Sequence, residues 1–139
     1  MLPTLQAGDG LLVSGVDYFV TSPARCDIVV IRGRYLGRRY FIKRIVGLPT
    51  ETIRFTNNTL HINGQPVDEP YLCEQPHALG REEQEWELGE DDYFVLGDNR
   101  AGSTDSRTQG PVHRSRIIGK SWLRYWPLHR SGSLKSDNR

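Results

Sequence analysis

The chain has 139 residues, 37% of them hydrophobic, which is enough for one core and too little for a second full domain. Eighteen basic residues against 17 acidic ones leave a net charge of +1, so no strong field points to nucleic acid or to an anionic membrane. The longest aliphatic run, Ile28-Val29-Val30-Ile31, is far below the roughly 20 residues of a membrane helix, and no signal peptide is recognisable, so the chain as written reads as soluble.

In chain order, the elements are strands. Gly10 to Val13, Asp27 to Ile31, Tyr40 to Val46, Thr52 to Phe55, Thr59 to Ile62 and Tyr93 to Leu96 are short, rich in β-branched, aliphatic or aromatic residues, and bounded by turn formers. Asn57-Asn58 predicts a tight turn, and Asn63-Gly64 predicts a stronger one because both residues tolerate positive φ. Pro66 to Asp92 is polar and carries Pro66, Pro70 and Pro76, which predicts a loop-rich insertion. Within it, Glu82 to Leu88 is the one weak helical candidate, and Trp86 either pins the insertion to the core or sits half-exposed. Ile117 to Trp126 is again strand-like and stops at Pro127, and the polar stretch Ser131 to Arg139 predicts a disordered tail. The fold class is mainly β, with one domain over 1–128 and a tail over 129–139.

Charge and metal-ligand types narrow the chemistry. The basic stretch Arg32 to Arg44 and the acidic stretch Glu82 to Asp92 read as solvated surface. The histidines His61, His77, His113 and His129 are scattered without metal-ligand spacing, and His61, alternating with Leu60 and Ile62, faces outward from its strand. Cys26 and Cys73 fit neither a metal site nor a disulfide framework, and whether they pair stays open. No metal or cofactor is called for.

Two segments do carry chemistry. Of 18 basic residues only Lys43, Lys120 and Lys135 are lysines, and Lys43 lies in Tyr40-Phe41-Ile42-Lys43-Arg44-Ile45-Val46. Alternation places it on one strand face between Phe41 and Ile45. Desolvation there lowers an amine's pKa enough for it to act as a base, which arginine cannot do; the competing reading is a strand lysine that snorkels to water. The second segment, Gly97 to Gly110, packs glycines, small hydroxyls and the residues Asp98, Arg100, Asp105 and Arg107 into one loop. Asp105 and Arg107 are spaced for a charge-assisted pair, against the plainer reading of a solvated turn.

In these blocks the chain resembles the type I signal peptidases, which are serine/lysine endopeptidases. Met1-Leu2-Pro3-Thr4-Leu5 with Gly8-Asp9 is similar to the segment that follows the family's nucleophile. Asp27-Ile28-Val29-Val30 is similar to the next strand, with Cys26 where glycine is usual. Lys43-Arg44-Ile45-Val46-Gly47-Leu48-Pro49 resembles the block of the lysine base, with Thr50 replacing the common glycine. Gly97 to Gly110 resembles the last signature, with Ala101-Gly102 in place of a more polar pair, and Gly119-Lys120 to Trp126-Pro127 resembles the C-terminal end.

The resemblance implies a signal-peptidase-type antiparallel β-sheet fold with a loop-rich insertion, without cofactor. It makes Lys43 the general base, Ser103 the hydroxyl that orients its amine, and Asp98, Asp105 and Arg107 the braces of that loop. Met1, Pro3, Leu5, Phe41 and Ile42 would line the groove for small residues before the scissile bond; without the resemblance they read as core packing. The partners implied are signal peptides of exported preproteins, at the extracytoplasmic side of a membrane reached through an upstream anchor. In the family the nucleophilic serine immediately precedes the methionine aligned with Met1, so by this reading the 139-residue chain alone is inactive. The alternatives are a catalytically inactive peptide-binding relic of the family and a self-cleaving repressor with related chemistry. The repressor is disfavoured because no DNA-binding helices precede the domain.

Overall fold

The computed structural model describes residues 5, 6, 8–15, 21–33, 40–57, 59–72, 83–127, 129 and 131–134, with 122–126 described in backbone only. The strands are β1 (Gly10–Ser14), β2 (Ile28–Arg32), β3 (Tyr40–Gly47), β4 (Thr52–Thr56), β5 (Thr59–Ile62), β6 (Gln65–Pro66), β7 (Gln84–Glu87), β8 (Asp92–Leu96), β9 (Val112–His113), β10 (Ile117–Trp126) and β11 (Gly132–Ser133). Among the described residues a short helix, α1 (Ser106–Gln109), follows the Gly97 loop, and Arg114–Arg116 form a 3-10 turn.

All described pairings are antiparallel. The larger sheet runs β1-β10-β2-β3-β8-β9, with β11 added to β10, and the smaller runs β6-β5-β4-β7. The two faces of β3 feed two cores. Ile45 joins Val29, Ile31, Tyr93, Val95, Val112 and Ile117 on one side. Val46 joins Ile53, Leu60, Ile62, Leu88, Phe94 and Leu96 on the other, where the small sheet packs. Period-two alternation alone produces this division, because adjacent strand residues point to opposite faces. Gly47 makes the close approach possible: a Cβ there would stand 2.7 Å from Ile53 Cδ1 and 2.8 Å from Phe94 Cβ.

Turn chemistry follows the residues. Asn63 and Gly64 take φ of 50° and 79° between the paired Ile62 and Gln65, as a two-residue hairpin requires. Asn57 also adopts positive φ, at 49°; Asn58 lies outside the described residues. Cys26 and Thr50, both standing where glycine is usual in the resembled family, have φ of 67° and 68°. Left-handed backbone costs an L-residue roughly 1–2 kcal/mol, most for a β-branched one, which gives the glycines of that pattern a physical reason.

Several expectations are corrected. Of the helical candidate Glu82 to Leu88, Glu82 lies outside the described residues and the rest is not helical: Gln84–Glu87 pair with Thr52–Phe55 as an edge strand, because the partner strand β4 offers hydrogen bonds that weak helical periodicity cannot match. Trp86 pins that strand, packing edge-on to Phe55 at 6.4 Å and tilted against Phe94 at 4.8 Å between ring centroids. Arg44, assigned with its neighbours to solvated surface, is buried. Gly132–Ser133, inside the expected disordered tail, pair with Leu123 and Arg124.

Candidate active site

Strand β3 delivers Lys43 to its place by register. Val29 on β2 lies opposite Lys43, and directly opposed residues share a face, so the amine leaves the backbone on the side of the fully buried Val29 and Ile45. Lys43 is 9% exposed, whereas Phe41, two residues earlier on the same face, is 42% exposed. Burial therefore comes from the interior strands and the Gly97 loop rather than symmetrically from both flanking apolar residues.

The Lys43 Nζ donates to Ser103 Oγ at 2.6 Å, across 60 residues of sequence. Burial pushes the Lys43 amine below its ordinary 10.5; the Asp105 carboxylate pulls the other way, and the Arg107 guanidinium pushes further down. Gly97 sets the spacing of the pair. A Cβ there would stand 2.2 Å from Ser103 Oγ and 3.6 Å from Lys43 Nζ, so only glycine lets the loop close on the amine.

The loop is held by buried charge. Asp105 caps α1 by accepting from the Arg107 N–H, and its carboxylate takes Arg107 Nε and Nη2, each at 2.8 Å. It also accepts from the Gly97 N–H at 3.1 Å. Burial pushes the Asp105 carboxyl up, but Arg107, the Gly97 N–H and the Ser103 hydroxyl outweigh that and hold it below its ordinary 3.8. Arg107 Nη2 spans the loop to the Arg100 carbonyl at 2.8 Å, and Ser106 Oγ accepts from the Val95 N–H at 3.0 Å, fastening α1 to β8.

Asp98 pairs with a residue from the other signature. Arg44 Nε and Nη2 reach Asp98 Oδ1 and Oδ2 at 2.9 and 2.8 Å, a buried two-pronged contact between β3 and the loop. Arg44 also donates to the Cys26 carbonyl at 3.2 Å and lies 4.1 Å from the Tyr71 ring centroid. Lys43 and Arg44 thus meet the same loop from opposite faces of one strand. Reading Arg32 to Arg44 as surface misses Arg44, although its alternation with Ile42 and Val46 on the other strand face is a usable signal.

An open cleft of about 490 Å³ lies beside the pair, with Leu5, Phe41, Ile42, Lys43, Gly97 and Ser103 in its wall. The structure therefore brings Leu5, Phe41, Ile42, Lys43 and Ser103 together and places Asp98, Asp105 and Arg107 behind them. Met1 and Pro3 lie outside the described residues. Cys26, half-buried, has its thiol pushed up by burial, the opposite of what activates a nucleophile. Among the described residues no cluster of three or more metal-ligating side chains occurs, and no helix is long and apolar enough to cross a membrane.

A desolvated amine bonded to a hydroxyl, at the end of a cleft, can accept a proton from a nucleophile near neutral pH. Comparison with known proteins identifies the family. The family model described as "Signal peptidase, peptidase S26" matches residues 1–126. The chain is 39% identical over 141 residues to signal peptidase I of Leptolyngbya laminosa, covering 96% of this chain and 68% of that one. It is 36% identical over 142 residues to probable signal peptidase I-2 of Synechocystis sp., covering 99% and 64% respectively. The chain thus spans about two thirds of the length of these relatives. A crystal structure of a signal peptidase I from Enterococcus faecalis is 31% identical with a TM-score of 0.62, covering 73% of this chain and 97% of that one. With a family match over nearly its whole length, this chain belongs to the signal peptidase family, peptidase S26.

Proposed function

We propose that this chain supplies the catalytic domain of an endopeptidase that removes N-terminal signal peptides from exported preproteins by serine/lysine chemistry. The observation that carries the reading is the buried Lys43 amine, 2.6 Å from Ser103 Oγ, at the end of the cleft. In this reading neutral Lys43 takes the proton of the nucleophilic serine hydroxyl, and the oxygen attacks the scissile carbonyl. Lys43 then returns that proton to the departing amine, leaving an acyl-enzyme that water hydrolyses by the same base. Ser103 keeps the amine aimed, while Asp98, Asp105 and Arg107 keep the loop in place. Leu5, Phe41 and Ile42, with Met1 and Pro3 before them, receive the small residues that precede the cleaved bond. An extended peptide is suited to such a cleft because strand edges supply its backbone hydrogen bonds.

The nucleophilic serine is assigned to the position before Met1, and the site of action to the extracytoplasmic face of a membrane. The test compares the 139-residue chain with the same chain carrying one serine before Met1, both offered a peptide with alanine at the first and third positions before the bond. Cleavage by the serine-bearing chain alone, abolished by Lys43→Met, is the expected result. Binding without cleavage by both chains would leave a peptide-binding relic as the correct reading. Cleavage by the unextended chain would refute the assignment of the nucleophile.

A further inference from the structure

The Gly97 loop is also held from outside either signature. Arg100, 5% exposed, donates from Nε to the Gly97 carbonyl at 3.2 Å. Its Nη1 reaches Glu69 Oε2 at 3.0 Å, and its Nη2 bonds Glu69 Oε1. Glu69 lies in the segment that leaves the small sheet after β6, and its side chain is only 8% exposed. Beside it, the Tyr71 hydroxyl donates to Glu69 Oε1 at 2.6 Å while the Tyr71 ring lies against Arg44. Burial and then the Glu69 charge push the Tyr71 phenol far up, so it remains a donor.

Two lines of support converge on this one carboxylate. Through Arg100 it reaches the Gly97 carbonyl, and through Tyr71 it reaches the buried Arg44–Asp98 pair. Gly97 is also the wall against which the Ser103 hydroxyl sits, close to the Lys43 amine. We propose that Glu69 is a positioning residue for the Lys43–Ser103 pair, clamping Arg100 so that Gly97 presses Ser103 onto the amine. The segment that leaves the small sheet is then more than a connection: it supplies the strut that fixes the geometry of the site. This inference rests on the reading of Lys43 as the base.

The experiment separates the two. The chain has three lysines, so a Lys-Cε-labelled sample gives three titrating resonances, and Lys43 is identified by substitution. Glu69→Gln keeps shape but weakens the clamp, so water reaches the amine and its titration midpoint moves up toward 10.5. Removing a negative charge would by itself move the midpoint down, so an upward move reports lost positioning and not lost charge. In the serine-extended chain kcat falls about tenfold with KM unchanged, because the cleft is intact while the base is misplaced. A wild-type Lys43 titrating at its ordinary value would sink the base assignment itself. A lowered wild-type midpoint that Glu69→Gln leaves in place, with kcat unaltered, would overturn only the role of Glu69, even if the melting temperature drops. Should Glu69→Gln not fold, Glu69→Asp decides, since it keeps the charge but shortens the reach to Arg100: an upward move supports the proposal, and no move with kcat unaltered overturns it.

Discussion

The two departures from glycine, Cys26 and Thr50, differ in what they cost. Thr50 is exposed and β-branched at φ 68°, between Leu48 and Glu51 in a turn closed by the Leu48 N–H to Glu51 Oε2 bond at 2.8 Å. Relief of the left-handed strain exceeds glycine's extra unfolded entropy, so Thr50→Gly raises stability by about 0.5–1 kcal/mol in denaturant melts. A neutral or negative change would show the turn is unstrained. Lys43 gives a pH signature. Its folded-state pKa is lower than its unfolded value, so between the two the unfolded chain holds more protons and stability rises with pH. Below that window the buried charged amine is a liability. Lys43→Met therefore stabilises the chain at neutral pH, and its advantage narrows as pH climbs toward 10.5. An advantage that stays constant across that range would contradict the burial described.

At the element scale, strand β3 and the Gly97 loop work as one part. The strand sends Lys43 to one face and Arg44 to the other, and the loop answers with Ser103 and Asp98. Gly97→Ala tests the closure directly, since its Cβ would fall 2.2 Å from Ser103 Oγ. The loop must then lift away from the amine. We expect hydrolysis by the serine-extended chain to fall about 100-fold while the far-ultraviolet dichroism of the sheets is unchanged. Retained activity would mean that Ser103 does not need to lie against Gly97. Edge strand β7 teaches the complementary point: Glu83 and Glu85 stay exposed beside Arg54, and only Trp86 turns inward. One anchored aromatic among acidic neighbours gave the sequence little periodicity to read.

For the whole molecule, the question is whether the small sheet folds with the large one. Phe94, fully buried on β8, packs with Val46, Ile53 and Leu60 and meets Trp86, so it joins both sheets. Phe94→Ala should cost about 3–5 kcal/mol and still leave a single transition by fluorescence and dichroism. Two separated transitions would show that the sheets melt independently and that the Glu69 strut can detach from the site.

Seven of the strands were legible from sequence, nearly to their ends, because apolar alternation and Asn-Gly turns are local signals that survive without context. Lys43, Asp105 and Arg107 were legible only in part: residue type and short spacing offered a desolvated amine beside the reading of a snorkelling lysine, and a close charge pair beside that of a solvated turn, and only packing separates them. The short strands β6, β7, β9 and β11 were not, since each exists through the hydrogen bonds of a partner strand. Nor were the Arg44–Asp98 and Arg100–Glu69 pairs, 54 and 31 residues apart in the chain. Which guanidinium meets which carboxylate depends on strand register and on which face is covered. Those are properties of the packed sheets, and no stretch of sequence carries them alone.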